Sequence, residues 1–370
     1  MQPEQFRPLM TAKGPFVSVY IDDSRDVTDA EAQLAAMWRD LRTHLERGGA
    51  DSEVITSLEQ VILNGRPAVG HQGRAVIATH EGILLEQHLK TPPSSTLLRI
   101  SEYPYLLPLL DLGSPPPTYL LASVDREGAD ITVRQGGNVR KENVEGDGYP
   151  VHKPASAGRG EYGDRQHTTD EAVRTNVRAV AARIVELADQ TGPEVVFVCG
   201  TVRSRGDVVS ELPKRVAERV CQLGAGALGH RVRESEVAGL IDDDYQRRRV
   251  AEGAEIIDRV WAEKGRGSEL LAEGIRQVCT ALRSGYVDTL VIGDLADATV
   301  LTGDGRTTVA PDADTLSELG EAPRGVARAD EVLPFAALSL GANVVRLSHL
   351  DVTDGIAALL RYAVTVPPAE

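Results

Sequence analysis

Apolar residues recur along this chain with two different periods, and the switches between them mark its elements. Phe16–Ile21 is an unbroken β-favouring run and predicts a strand. Trp38, Leu41 and Leu45, then Val54, Leu58 and Ile62, return at helical spacing and predict two helices. Arg74–Thr79 and Ile83–Leu89 flank a turn at Glu81-Gly82 and predict a hairpin. Pro92-Pro93, and more strongly Pro115-Pro116-Pro117, punctuate the chain as a boundary would.

The same reading continues downstream. Tyr119–Val124 and Ile131–Gln135 are predicted strands joined through Glu127-Gly128. A polar stretch, Gly146 to Thr168, follows. Thr168 with Glu171 has the form of a capping box, opening a helix over roughly 169–190 with Ala172, Val173, Val177, Val180, Ile184 and Leu187 on its apolar stripe. Glu194–Cys199 reads as a strand buried on both faces. Ser204–Leu223 and Ser235–Glu263 read as helices either side of a glycine-rich GAGALGH stretch.

A third segment opens at Gly265-Arg266-Gly267. Its first helix starts at Ser268 and presents Leu271, Ile275, Val278 and Leu282, with Gly285 as C-cap. Asp288–Ile292 is the next strand, and Thr299–Leu301 with Thr307–Val309 forms a pair. A helix near Asp330–Leu340, a strand Asn343–Leu347 and a closing helix near Thr353–Tyr362 complete the pattern. Alternating strands and helices predict an α/β protein of three domains: residues 1–114, 115–264 and 265–370.

Composition narrows the function. A chain of 370 residues suits two or three domains, and 42% apolar with 26% charged residues is the balance of a soluble globular protein. No run of about eighteen apolar residues predicts a membrane span. The opening MQPEQFRPLMTAKGPF lacks a signal peptide's apolar core, so a cytoplasmic location is expected. Cys199, Cys221 and Cys279 are far apart and show no metal or redox spacing, which predicts buried thiols. A net charge of −15 argues against generic, charge-driven binding of nucleic acid. Yet 21 of the 40 Lys and Arg residues fall between 113 and 262, so a local basic patch on an acidic body is compatible with the sequence.

Candidate chemistry concentrates in the polar stretch 146–168. A loop of that length inside a compact domain is uncommon and usually functional or disordered. It carries His152, Lys153, Arg159, Arg165, Gln166 and His167, groups suited to phosphate and base edges. Gly148, Gly158, Gly160 and Gly163 permit close backbone approach. Gly158–Gly163 spells G-x-G-x-x-G, but no strand precedes it and no helix opens within it, so the dinucleotide reading fails. His152 and His167 with Asp147 or Asp164 lack the convergent spacing of a zinc site, and no metal or cofactor is expected. Asp242-Asp243-Asp244 reads as a solvated acidic helix start rather than a magnesium site, and Arg247-Arg248-Arg249 as surface charge offsetting it. No G-x-S-x-G elbow and no Ser/His/Asp or Cys/His arrangement stands out.

The order of parts resembles a known family. A strand pair, a glycine-rich loop and a long helix look like the middle domain of archaeo-eukaryotic peptide-chain release factors and Pelota. ELLAEGIRQVCTALRSGYVDTLVIGDL, Glu269–Leu295, is similar to their last domain. The resemblance covers residues 115–370 and is nearest to the actinobacterial branch of bacterial relatives that includes the ribosome hibernation factor Balon. It implies a protein of tRNA-like shape in the A site of the 70S ribosome, touching 23S and 16S rRNA. It also implies EF-Tu as delivery partner, a neighbouring P-site tRNA and a monomeric state. In true release factors the loop ends in Gly-Gly-Gln, which positions water against the peptidyl-tRNA ester. Here Gly158-Arg159-Gly160 is followed by Glu161-Tyr162, and Gln166 comes later after Asp164-Arg165. Hydrolysis is intolerant of such displacement. The expectation is therefore a hibernation factor without catalytic residues, whose loop contacts RNA through His152, Lys153, Gly158, Arg159, Gly160, Arg165, Gln166 and His167. The alternatives are an atypical release or rescue factor acting through residues 158–168, and a hydrolase or nuclease of tRNA ends.

Overall fold

The computed structural model describes residues 6–24, 29–65, 71–112, 118–135, 138–147, 162–226, 231–347 and 350–363, and for residue 30 and residues 162–169 it describes the backbone. The first segment runs α1 (Arg7–Thr11), β1 (Phe16–Asp22), α2 (Ala30–Arg47), α3 (Ser52–Asn64), β2 (Gly73–Thr79), β3 (Gly82–Leu89), β4 (Leu97–Ser101) and α4 (Leu107–Leu112). Its sheet is antiparallel throughout, in the order β3-β2-β1-β4. Because strand side chains alternate, β1 divides its residues between two cores. Val17, Val19 and Ile21 pack on Trp38, Leu41, Leu45, Leu58 and Ile62 of α2 and α3. Phe16 and Tyr20 face the opposite way. The predicted strand, hairpin and both helices are present, while α1, β4 and α4 went unread in the sequence.

The middle segment runs β5 (Tyr119–Val124), β6 (Gly128–Gln135), β7 (Asn138–Glu145), α5 (Tyr162–Thr191), β8 (Val195–Gly200), α6 (Val202–Glu211), α7 (Lys214–Ala217), β9 (Val220–Gln222) and α8 (Glu234–Arg266). The sheet order is β7-β6-β5-β8-β9, antiparallel on the β7 side and parallel from β5 to β9. Helices cover both faces. Leu120, Ala122, Val196 and Val198 meet Val177, Val180, Ile184 and Leu187 of α5 and Val208 of α6. Tyr119, Leu121, Phe197 and Cys199 meet Val237, Ile241 and Tyr245 of α8. This double burial is why β8 reads as a continuous apolar run. Each fully buried Val, Leu, Ile or Phe side chain here contributes roughly 1.5–3 kcal/mol.

Two predicted elements here are corrected. The helix expected to open after Thr168 begins at Tyr162, so Thr168 lies within it and does not cap it. Helix growth is cooperative, and a local capping signal cannot stop it where extension is favourable. The helix expected over Ser204–Leu223 breaks at Leu212, which takes an extended conformation because Pro213 follows. Beyond that break the chain makes α7 and the strand β9 instead.

The last segment runs β10 (Leu271–Glu273), α9 (Gly274–Arg283), β11 (Val287–Ile292), β12 (Thr299–Thr302), β13 (Val309–Ala310), α10 (Ala313–Glu318), β14 (Gly325–Arg328), α11 (Ala329–Ser339), β15 (Asn343–Arg346), a short 3-10 turn at Thr353–Gly355 and β16 (Ile356–Leu360). The main sheet is ordered β10-β16-β11-β15, and a smaller one β13-β12-β14. The helix expected from Ser268 starts at Gly274, because Leu271–Glu273 pairs antiparallel with Ala357–Leu359. The closing helix expected over Thr353–Tyr362 is replaced by the 3-10 turn and β16, which lies between β10 and β11. Its five residues are all buried, and that burial overrides the weak helical preference of an alanine-rich run. Gly285 ends α9 with φ of +67°, as expected of a C-cap.

By contacts the chain divides into two compact units, residues 115–251, and residues 1–114 together with 252–370. In the second unit, Phe6, Leu9, Phe16, Tyr20 and Leu106 share one core with Val278, Leu290, Leu333, Phe335 and Ile356. Arg306 donates to the Met10 carbonyl at 2.9 Å within that unit, and Arg346 pairs with Asp111. The far face of the β10-β16-β11-β15 sheet is closed by Ile256 and Val260 of α8. Among the described residues, no helix is long and apolar enough to cross a membrane.

Candidate functional site

β7 and α5 flank residues 148–161, and the middle unit ties the two elements together at several points. β7 reads NVRKENVE and lies at the edge of its sheet, largely exposed. It has no apolar alternation, so its partner β6 and not its own sequence makes it a strand. Arg183 of α5 donates from Nε and Nη2 to Glu142 Oε2 of β7 at 2.8 and 2.6 Å. Farther along, the Gly146 amide donates to the Glu127 carbonyl at 3.0 Å. Buried Asn176 of α5 donates from Nδ2 to the Arg126 carbonyl, also at 3.0 Å. A Cβ added at Gly146 would stand 1.9 Å from Asn176 Oδ1, so only glycine allows this approach.

The turn between β5 and β6 completes the root. Asp125 Oδ1 accepts from the amides of Glu127 and Gly128 at 2.7 and 2.8 Å, the local bonding that favours aspartate in turns. Its Oδ2 accepts from Arg231 Nε at 2.9 Å, and Arg231 Nη1 reaches Asp130 at 3.1 Å. On the same face of the sheet, beside α8, Tyr119 donates to Glu234 Oε1 at 2.8 Å while Arg134 donates to both. Burial first, then the bond to Glu234, pushes the Tyr119 hydroxyl up to about 12. Burial works against the Glu234 carboxylate, but the bonds from Arg134 and Tyr119 outweigh it and hold its pKa below the usual value.

A cleft of about 470 Å³ opens beside this root, between α5, α6 and the β5–β6 turn. Val173 and Val177 of α5 contribute its apolar part, and Arg126, Arg174 and Arg203 stand among its polar groups. α6 starts immediately after β8, with Thr201 as N-cap accepting from the Ser204 amide at 3.1 Å.

His152, Lys153, Gly158, Arg159 and Gly160 lie outside the described residues. Arg165, Gln166 and His167 belong to α5 and not to a loop, so the predicted loop loses its last seven residues to the helix. Asp242, Asp243 and Asp244 lie inside α8 and not at its start. Asp244 is buried and accepts from Arg248 Nε at 2.6 Å and Arg247 Nη2 at 3.2 Å, so two of the three arginines do offset it. Cys199 and Cys279 are buried, and Cys221 half-buried beside Asp244. Burial pushes the Cys279 thiol up to about 12. Among the described residues, no group of three His, Cys, Asp or Glu could hold a metal ion. Sequence reading missed Asn176, Arg126, Arg174 and Arg203. The signal for Asn176 was present: a polar residue set beside Val173, Val177 and Val180 on a helix needs an internal partner.

Residues 118–266, which span this whole arrangement, match the family model of bacterial archaeo-eukaryotic release factor family 2. The Mycobacterium tuberculosis (strain H37Rv) protein Rv2629 is 52% identical over 366 residues, 99% of this chain and 98% of its own length. The chain belongs to the bacterial archaeo-eukaryotic release factor family. A pelota homolog of Haloarcula marismortui is 26% identical over 293 residues, covering 77% of this chain and 70% of that one. A model of ribosome-bound archaeal Pelota and ABCE1 aligns over 98% of this chain and 95% of that one, at 16% identity and a TM-score of 0.41. In this release factor-like chain the family match begins one residue before β5 and ends with α8, so it takes in both flanks of residues 148–161.

Proposed function

We propose that this protein binds the ribosome and occupies the A site of idle 70S particles, without hydrolysing peptidyl-tRNA. Residues 148–161 and the start of α5 then form the tip directed at the peptidyl-transferase centre. The observation that carries the reading is a release-factor middle domain whose tip lacks Gly-Gly-Gln. Glu161 and Tyr162 stand where Gly and Gln would follow Gly158-Arg159-Gly160. Gln166 lies on the α5 backbone, in a helix whose later turns are tied to β7 and to the β5–β6 turn. Water attack needs a group placed to within a fraction of an ångström, and a glutamine moved along the chain and set on a helix does not supply it.

The chain's net charge of −15 is compatible with RNA binding when contacts are few, local and shape-directed. His152, Lys153, Arg159, Arg165 and His167 are the tip groups assigned to rRNA, with delivery by EF-Tu and a P-site tRNA alongside. The function places the protein in the cytoplasm as a monomer.

Co-sedimentation tests the reading. Lysates of starved or chilled cells should carry the protein in the 70S fraction, and its confinement to the supernatant would remove the proposal. Single-turnover release on stalled ribosomes separates the alternative. A release rate above background that falls with Gln166→Ala would replace occupancy by hydrolysis.

A further inference from the structure

The cleft beside the tip's root is built from three elements and is not part of residues 146–168. Arg126 comes from the β5–β6 turn, Arg174 from α5 and Arg203 from the first turn of α6. None of the three is held by a tight ion pair. Arg174 is 3.8 Å from Glu171 and Arg203 is 3.7 Å from Asp207, both beyond hydrogen-bond length. The side chains of Arg174 and Arg203 are 70% and 72% exposed. Among the described residues, Arg126 makes no ion pair.

Four carboxylates line the same cleft, Asp125, Asp170, Asp207 and Glu211, with Asp170 one turn before Arg174 on α5. Asp125 has both oxygens engaged by its own turn and by Arg231. Asp207 and Glu211 stand one and two turns farther along α6 than Arg203. The end of the cleft by the α6 N-terminus is the one that Arg126 and Arg203 line. It lies at the carboxyl ends of the parallel strands β5 and β8, where sheets of this class place their ligands.

We propose that this end of the cleft binds a phosphate group, held by the Arg126, Arg174 and Arg203 guanidinium groups. Guanidinium forks match phosphate oxygens bidentately, and planar donors from three elements fix its position. The phosphate belongs either to an RNA backbone or to a free nucleotide. In the first case the cleft adds a backbone contact at the root of the ribosome-facing tip and so rests on the proposed function. In the second it stands apart from it.

The test is fluorescence anisotropy on the full chain with a labelled oligouridine of about a dozen nucleotides. ADP and inorganic phosphate serve as competitors. Arg126→Gln/Arg203→Gln should weaken binding about tenfold or more. Arg215→Gln removes an exposed charge, paired to Asp189 outside the cleft, and should leave binding within about twofold. Arg126→Lys/Arg203→Lys should fall between, since lysine keeps charge and loses the fork. Circular dichroism melts of each variant separate lost binding from lost folding.

Oligouridine binding that ADP cannot displace identifies the backbone phosphodiester, whereas displacement by ADP or phosphate identifies the free ligand. Equal losses in the cleft variants and in Arg215→Gln, or no binding by the wild type of either the oligouridine or directly titrated ADP, would overturn the proposal. Ribosome sedimentation of the same proteins keeps the two readings apart. Arginine-dependent oligouridine binding without sedimentation leaves the cleft and removes A-site occupancy. Sedimentation without any phosphate binding does the reverse.

Discussion

Asn176 and Gly146 are in contact, the asparagine buried in α5 and the glycine directly after β7. A methyl group at residue 146 would stand 1.9 Å from Asn176 Oδ1 and 2.3 Å from its Cγ. Thirty residues apart in sequence, they pack the end of β7 against the middle of α5. The Asn176 bond to the Arg126 carbonyl adds the β5–β6 turn to the same junction.

Loss of that junction should be measurable as stability. Asn176→Ala leaves the part-buried Arg126 carbonyl without this donor and should cost about 1–3 kcal/mol in urea unfolding. Gly146→Ala should cost a similar amount by forcing β7 and α5 apart. Wild-type stability in both variants would show that the junction contributes nothing.

In the other unit, Arg74 and Asp23 are fully buried, with Arg74 Nη2 2.5 Å and Nε 3.0 Å from Asp23 Oδ2. Arg74 Nη1 also donates to the Val61 carbonyl at 2.6 Å, joining β2 to α3. Arg74→Met takes the guanidinium away from the buried Asp23 carboxylate and should destabilise by about 3–5 kcal/mol. Arg74→Met/Asp23→Leu should lose less than the single change, because the remaining partner, Glu86, reaches solvent and no fully buried charge is left behind. A double variant as unstable as the sum of its singles would contradict this.

Glu331 gives a pH dependence of definite sign. It lies in the first turn of α11, 3% exposed, with Arg99 of β4 4.0 Å away. Burial raises its pKa above the ordinary 4.5; Asp330 adds to the rise, and Ser101, Arg99 and Arg328 oppose it. A carboxyl whose folded pKa is raised costs nothing while protonated in both states, below the unfolded value. The penalty grows as pH rises through 4.5 and is complete above the folded pKa. Glu331→Gln should therefore melt higher than wild type at neutral pH, and the two should converge in acid. A variant that melts lower at neutral pH would reverse the sign.

Much of the fold was legible because long apolar runs have one period. β1, β2, β3, β5, β8 and β11 stand where such runs stand, and α2, α3 and α8 follow their apolar stripes. Short elements were not legible. Ile356–Leu360 is five apolar residues, which suits a buried helix or a buried strand equally, and only its place between β10 and β11 decides. β7 is polar on both faces and owes its conformation to β6. The start of α5 was misread because a capping signal at Thr168 is local, whereas helix length depends on what precedes it. At the candidate site, the strand pair before residues 148–161 and the helix after them were legible from the sequence. Its supports were not, since Asn176, Arg126 and Arg203 meet only after β5, α5 and α6 have packed.

The central claim is tested most directly by cryo-electron microscopy of the full chain on vacant 70S ribosomes. The account predicts density in the A site, with residues 148–161 and the start of α5 at the peptidyl-transferase centre and any P-site peptidyl-tRNA left intact. Particles with an empty A site, or with the middle unit facing away from that centre, would contradict it.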